Sequence, residues 1–168
     1  FQWKDFDRKR NQASMSKVFP KGTVDKYRAQ VIEREVIKSD DKILALVGTP
    51  HAYTRYGSPF YSFNADGFCA FDKNWLGNRL YARHTDKVFN ILLHQPFMKE
   101  VDGQYLWVSP AKGSIEAIMA QNQHKQVGFD LLRAPLGKLS DDSQHAMCYP
   151  DFTLDQFFDG YIYLAPLK

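Results

Sequence analysis

The chain has 168 residues, the length of one compact domain, and 44% of them are hydrophobic and 24% charged. These ordinary globular values exclude a disordered or low-complexity chain. The formal net charge is only +3, which is too small to indicate a nucleic-acid partner. Every apolar run is shorter than the roughly 20 residues that span a bilayer, so we expect a soluble domain with no membrane span.

The first forty residues are predicted to form a helical lead-in. Residues 7–19 have a helix-compatible composition and end before Pro20. Residues 23–38 begin at Thr23, whose hydroxyl can cap a helix. Their apolar residues recur at helical spacing along one face: Val24, Tyr27, Val31 and Ile32. The sequence therefore predicts two helices in this part of the chain.

Residues 42–48, KILALVG, form a short apolar run that ends at Gly48. Such a run is typical of a strand covered on both faces of a sheet. The irregular stretch that follows, residues 49–73, contains a candidate hairpin around the NADG sequence at 64–67. A loop of this length inside a compact domain is usually functional or mobile.

Helices and strands alternate through the rest of the chain. Helices are predicted at 74–84, 113–124 and 153–158, and strands at 87–95, 103–109, 126–132 and 160–166. Ser114 is the expected cap of the second of these helices, in which Ile115, Ile118 and Met119 have helical spacing. Alternation of this kind is typical of right-handed crossovers.

We therefore predict a single α/β domain over residues 1–168. It has a helical lead-in at 1–40 and, over 41–168, a mainly parallel sheet of four to five strands flanked by crossover helices. An antiparallel strand is expected at one edge of that sheet, because the segment 103–109 has the composition of an edge strand.

Three candidate site residues lie at or just beyond the carboxyl ends of predicted strands. His51 lies three residues beyond Gly48, His94 lies near the end of the strand predicted at 87–95, and Asp130 lies late in the one at 126–132. Ligands of open parallel sheets bind at the carboxyl ends of the strands, so we expect these side chains to meet at one edge. There they could act as general base, general acid or metal ligand, with His51 as the metal candidate.

Tyr53 and Arg55 are candidate ligand-binding residues beside His51, because a hydroxyl can donate a hydrogen bond and a guanidinium can bind an anion. The alternative for each histidine is a structural role, since a histidine after a strand is often only hydrogen-bonded in place. Cys69 and Cys148 leave open one disulfide bridge or two free thiols. The sequence contains no phosphate-binding glycine loop and no common metalloprotease or serine-hydrolase motif.

Several segments resemble the second half of the erythromycin esterase, ChaN (haem-binding uptake) and Tiki superfamily. In that superfamily an R…MA helix precedes a strand that ends in a GxxHa motif, and a helix with a Leu-Gly pair precedes a kVfnIll strand. Here the corresponding places are occupied by Arg10 and Met15, GTPHA at 48–52, WLGNRL at 75–80, KVFNILL at 87–93 and the closing FFDGYIYLAP at 157–166. The resemblance implies an α/β fold, a ligand site at the strand ends that includes His51, and either ester or peptide hydrolysis or haem binding.

Members of that superfamily also carry an N-terminal GExH-type motif, which this sequence lacks. Either the chain is part of a larger one, or it keeps the scaffold without the chemistry. Three functions stay open: a hydrolase that acts on an ester or peptide, with or without a divalent metal; a module that binds haem, another small molecule or a peptide; and a protein interaction domain. The start at Phe1 is consistent with a removed signal, which would imply a periplasmic or other extracytoplasmic location.

Overall fold

The computed structural model describes residue 20 and residues 22–61 and 69–167. Within these residues the α-helices are α1 (Val24–Ile32), α2 (Leu76–Tyr81), α3 (Ser114–Gln121) and α4 (Leu154–Phe157). A π-helical turn, Glu33–Ile37, continues α1, and 3-10 helices cover Thr49–Ala52, Pro110–Gly113, Pro135–Lys138 and Gln144–Ala146. The strands are β1 (Ser58–Tyr61), β2 (Cys69–Asp72), β3 (Ile91–Leu93), β4 (Phe97–Val101), β5 (Gln104–Val108), β6 (Val127–Asp130) and β7 (Gly160–Tyr163). The helix predicted at 7–19 lies outside the described residues.

The strands form three small sheets. β1 pairs with β2 and β4 pairs with β5, both antiparallel, while the third sheet has the order β3-β7-β6. In that sheet β7 is parallel to β3 and antiparallel to β6. The predicted mainly parallel sheet of four to five strands flanked by helices is therefore wrong. Residues 131–159 fold back through short helical turns, so β7 returns antiparallel to β6 instead of crossing over.

The β4–β5 pair is a hairpin closed by a two-residue turn, where the sequence predicted alternating strands and helices. Asp102 and Gly103 both have positive φ, 51° and 76°, and they join Val101 directly to its partner Gln104. An Asp-Gly pair in this conformation is a preferred two-residue hairpin turn, because its twist matches that of the strands. The strand predicted at 103–109 is confirmed as β5, and it pairs with its immediate neighbour rather than with the larger sheet.

Helix α1 begins where the sequence predicts, because the Thr23 hydroxyl accepts a first-turn N–H at 3.2 Å. Its buried face differs from the predicted one: Asp25 and Ala29 are buried, whereas Val24 and Tyr27 are exposed. The prediction of an apolar face along Val24 and Tyr27 is wrong. Instead, the side of the helix that carries Asp25 faces the rest of the fold. The Asp25 carboxylate is hydrogen-bonded there.

The apolar run 42–48 is not a strand within the described part of the chain. Leu44 and Leu46 are 93% and 89% exposed, so the prediction of a buried strand is also wrong here. The exposure alternates, because Ile43 and Val47 are less exposed than the two leucines, as side chains on an extended chain would be.

Side chains at both ends align this run with β3. Lys87 donates to the Asp40 carboxylate at 3.1 Å, and the Gln95 amide donates to the Thr49 hydroxyl at 2.7 Å. Residues 40–49 therefore run in the same direction as residues 87–95. Between the two side-chain contacts, the first segment has nine residue steps and the second has eight.

The main core is rich in aromatic residues and surrounds β7 and α4. Its largest fully buried side chains are Tyr161, Tyr163, Phe97, Phe157, Phe158, Ile115, Met119, Leu131 and Leu154. Helix α3 is confirmed, although its N-cap is Gly113 rather than Ser114 and Ile118 is exposed. The antiparallel β1–β2 pair agrees with the predicted hairpin, whose turn at 64–67 lies outside the described residues.

Candidate active site

The strongest candidate site is a hydrogen-bonded pair formed by His51 and Asp25. His51 Nδ1 lies 2.7 Å from Asp25 Oδ2. The Asp25 side chain is buried, whereas the His51 side chain is 34% exposed. An ionised carboxylate can only accept a hydrogen bond, so Nδ1 carries the proton and a neutral imidazole has its lone pair on Nε2. Among the described residues Nε2 has no hydrogen-bond partner, and it is therefore available to another molecule.

Helix α2 fixes the position of this carboxylate. The backbone N–H of Leu76, in the first turn of α2, donates to Asp25 Oδ2 at 3.1 Å. Gly77 lets the helix approach the chain that carries His51, because a Cβ atom at Gly77 would lie only 2.4 Å from the carbonyl oxygen of Tyr53. Glycine destabilises an isolated helix, but it is required at this position because the close backbone contact leaves no room for a side chain. The edge of the Trp75 ring packs against His51, with 5.4 Å between ring centroids.

Three buried polar atoms around this pair have no hydrogen-bond partner among the described residues: Asp25 Oδ1, Thr54 Oγ1 and Trp75 Nε1. The Arg28 guanidinium lies 3.8 Å from Asp25 Oδ1, which is an ion-pair distance and not a hydrogen bond. A buried polar atom without a partner costs about 1–3 kcal/mol. Two of these atoms belong to residues that contact His51, Asp25 through its hydrogen bond and Trp75 through its ring.

His51 lines a cavity of about 760 Å³ that lies between the run 42–47 and β3. Its walls are mostly aliphatic, and α2 and the turn Glu33–Ile37 line it as well. The polar residues on its walls include Thr49, Thr54 and Gln95 beside His51. The size falls within the usual range of ligand cavities, roughly 300–1,000 Å³.

His94 is a second histidine bonded to a carboxylate, and it does not reach this cavity. Its Nε2–H donates to Glu116 Oε1 at 2.8 Å and its Nδ1 accepts from the Tyr161 hydroxyl. The side chain is only 1% exposed. Glu116 also accepts from the Tyr163 hydroxyl, which in turn pairs with His124. Both ring nitrogens of His94 are thus occupied, and the network is closed.

Burial alone would raise the pKa of Glu116. Hydrogen bonds from the backbone N–H of Leu167, from His94 and from Tyr163 outweigh that effect, so the pKa lies below its ordinary value. The carboxyl group is therefore ionised at neutral pH, and it holds the end of the chain beside α3.

Asp130 does not share an edge with His94, so the expected meeting of the three candidates is wrong. Asp130 is paired with Gly160, where β7 begins, whereas His94 follows the end of β3 beside Ile162. Because β6 is antiparallel to β7, its carboxyl end lies at the opposite edge of the sheet. The carboxylate that orients His51 is Asp25, which the sequence pattern does not indicate.

Tyr53 and Arg55 are both engaged inside the fold. Tyr53 is buried among aromatic rings, and this burial raises the pKa of its hydroxyl above the ordinary value. Arg55 forms an ion pair with Asp159 and donates to backbone carbonyls near α4. Their expected role in ligand binding stays a prediction, but the structure gives Arg55 a clear structural task.

Within residues 22–61 and 69–167, no three His, Cys, Asp or Glu side chains group closely enough to hold a metal ion. Cys69 and Cys148 form a disulfide, which decides between the two states that the sequence left open. In the described part of the chain, no helix has the length and apolar character needed to cross a bilayer.

Comparison of the chain with family models, with curated proteins and with solved structures finds no match in any of the three. The resemblance to the erythromycin esterase, ChaN and Tiki superfamily therefore stays a prediction. The interpretation of the site depends on its own geometry.

Proposed function

We propose that the chain is a hydrolase in which His51 acts as the general base for attack of water on a carbonyl group. One observation carries the proposal: His51 lies on the wall of a cavity, its Nδ1 is bonded to a buried carboxylate, and its Nε2 is unoccupied among the described residues. A carboxylate that fixes the tautomer and orientation of an imidazole makes the opposite nitrogen a better base.

In the proposed reaction, a water molecule between Nε2 and the substrate attacks the carbonyl carbon of an ester or amide. A bond forms from the water oxygen to that carbon, and the water gives one proton to Nε2. The buried carboxylate of Asp25 stabilises the resulting imidazolium. The imidazolium then returns the proton to the leaving alcohol or amine as its bond to carbon breaks, which yields a carboxylic acid and restores the neutral ring.

The direct test is hydrolysis of a panel of p-nitrophenyl esters and chromogenic peptides by the parent protein and by the His51→Ala variant, with EDTA and with added divalent metal. We expect His51→Ala to lower kcat/KM by about 10²–10⁴-fold, the range that general-base catalysis contributes. Activity that is equal in parent and variant would contradict the proposal, as would a parent without activity on the panel.

The matched control is His84→Ala. His84 also bonds a carboxylate, Glu33, at 3.1 Å, but it does not line the cavity. Its removal should leave kcat/KM unchanged, so that a loss specific to His51 identifies the base rather than any carboxylate-bonded histidine.

A further inference from the structure

The walls of the cavity beside His51 carry unused main-chain hydrogen-bonding groups on two sides. On one side, residues 42–47 make no hydrogen bond to another described residue. On the other, β3 is the edge strand of its sheet and pairs only with β7 among the described strands. A sheet edge of this kind presents a row of free N–H and C=O groups.

The register of β3 shows which of its groups are free. The His94 N–H donates to the Ile162 carbonyl at 2.8 Å, and the Asn90 carbonyl accepts from the Gly160 N–H at 3.0 Å. Since alternate residues of a strand face opposite neighbours, Leu92 faces β7 as well. The backbone groups of Ile91 and Leu93 therefore face the other way, on the side of the run 42–47.

The two walls also match each other in direction and length. The bond between Lys87 and Asp40 marks one end of the cavity and the bond between Gln95 and Thr49 marks the other. Between these ends, residues 42–47 line the cavity on one side and β3 lines it on the other. His51 lies immediately beyond the second end.

An aliphatic ligand would bury these N–H and C=O groups without giving them partners, which is costly. The alternating partial charges of an extended polypeptide complement those of both walls, as in other cases of strand addition. We propose that this cavity binds an extended polypeptide strand with aliphatic side chains, held by main-chain hydrogen bonds to β3 and to the run 42–47. That this strand is the substrate depends on the proposed hydrolysis by His51.

The test measures binding of a defined heptapeptide, acetyl-Lys-Val-Thr-Val-Thr-Val-Lys-amide, by isothermal titration calorimetry. The His51→Ala variant is used so that turnover cannot interfere. We expect methylation of the central backbone nitrogen to weaken binding at least tenfold, because it removes one N–H donor. Decanoate, which is apolar and has no amide groups, should bind at least tenfold more weakly than the peptide.

A substitution pair tests the same hydrogen bonds from the protein side. Leu93→Pro removes an N–H that faces the cavity, at an edge strand where proline is tolerated. Leu93→Val keeps the N–H and is the matched control. We expect the proline variant to bind the peptide at least tenfold more weakly than the valine variant; the methylated peptide gives an independent result if the proline variant does not fold.

The two proposals fail in different ways. If a short p-nitrophenyl ester is hydrolysed in a His51-dependent manner but the heptapeptide does not bind, strand binding is overturned and hydrolysis stands. If the peptide binds and methylation weakens it, but neither ester nor peptide is cleaved, strand binding is supported and hydrolysis is overturned. Equal binding of the peptide, its methylated form and decanoate would overturn strand binding whatever the activity.

Discussion

His51 and His94 differ less in their carboxylate partners than in their second ring nitrogens. The first nitrogen of each ring bonds a carboxylate, at 2.7 Å for His51 and 2.8 Å for His94. The remaining nitrogen of His94 is bonded to Tyr161, and its side chain is almost wholly buried. The remaining nitrogen of His51 has no hydrogen-bond partner among the described residues, and His51 lies on the wall of a cavity.

A histidine–carboxylate pair is therefore not by itself a sign of catalysis. When both ring nitrogens are bonded, the imidazole connects parts of the fold and has no lone pair left for a substrate. When one nitrogen stays free and accessible, the same pair can move a proton.

After His51 itself, the largest effect is expected at Asp25. Asp25→Asn replaces an acceptor by an amide that can donate to Nδ1, which favours the tautomer with its proton on Nε2 and removes the base. We expect kcat/KM to fall about 10²-fold or more, with a far-UV spectrum like that of the parent. Asp130→Asn is the control, since that carboxylate lies at the other edge of the sheet and should not affect activity.

His94→Ala should show the opposite pattern. It leaves Glu116 and the Tyr161 hydroxyl without their shared partner, and a buried polar group left without its hydrogen-bond partner costs about 1–3 kcal/mol. We expect the free energy of unfolding to fall by about 3 kcal/mol while kcat/KM of the folded protein is unchanged. Urea denaturation and the ester assay measure the two quantities. A variant that is stable but inactive would show that the roles of His94 and His51 are not divided.

A third histidine, His145, extends the comparison to a ring that makes no ion pair with a described residue. It lies among the rings of Phe97, Phe157 and Tyr53, and burial lowers its pKa to about 4 from an ordinary 6.5. The unfolded chain takes up this proton below about pH 6.5, whereas the folded protein does so only near pH 4. The contribution of His145 to the free energy of unfolding is therefore fully present above about pH 6.5 and is lost as the pH falls towards 4.

The expected loss from His145 between pH 7.5 and pH 5 is about 2 kcal/mol. Urea denaturation at both pH values measures it. His145→Phe, which cannot titrate, removes this part of the pH dependence, so the difference between parent and variant isolates it from the carboxylates. Equal pH dependence in the two proteins would contradict the prediction.

The smallest effect is expected at Tyr163, which connects Glu116 to His124. Tyr163→Phe removes a hydroxyl from the closed network and should lower the free energy of unfolding by about 1 kcal/mol, the usual contribution of one hydrogen bond. Tyr105→Phe, at an exposed position on β5, is the control and should change the urea midpoint very little. A larger loss at Tyr105 would argue against the network as the source of the stability.

The sequence predicted those features that depend on neighbouring residues. The Thr23 cap, α3, β5, β6 and the final strand follow from capping chemistry and from local hydrophobic spacing. Which strands pair could not be derived in this way, because that choice depends on how residues 131–159 fold back. The run 42–48 has the composition of a buried strand, and only tertiary structure shows that it has no partner among the described strands.

The site was predicted in part for the same reason. His51 was selected from its place after an apolar run, and the structure puts it on a cavity wall. Asp25 was missed because an acidic residue in the first turn of a helix normally only complements the helix dipole. Nothing in the local sequence distinguishes it, and Asp25 and His51 are 26 positions apart, with no sign in the sequence that the two side chains meet.

The disulfide between Cys69 and Cys148 makes the stability of the fold dependent on redox conditions. The bridge joins positions 79 residues apart, and the loop that it closes contains α2, α3 and the strands β3 to β6. Closing a loop of that length restricts the unfolded chain, which on a chain-entropy argument stabilises the fold by about 4 kcal/mol. Such bridges persist in oxidising surroundings and are reduced by cytosolic thiols. The activity measured in a reducing buffer and in an oxidising one would therefore belong to two proteins of different stability.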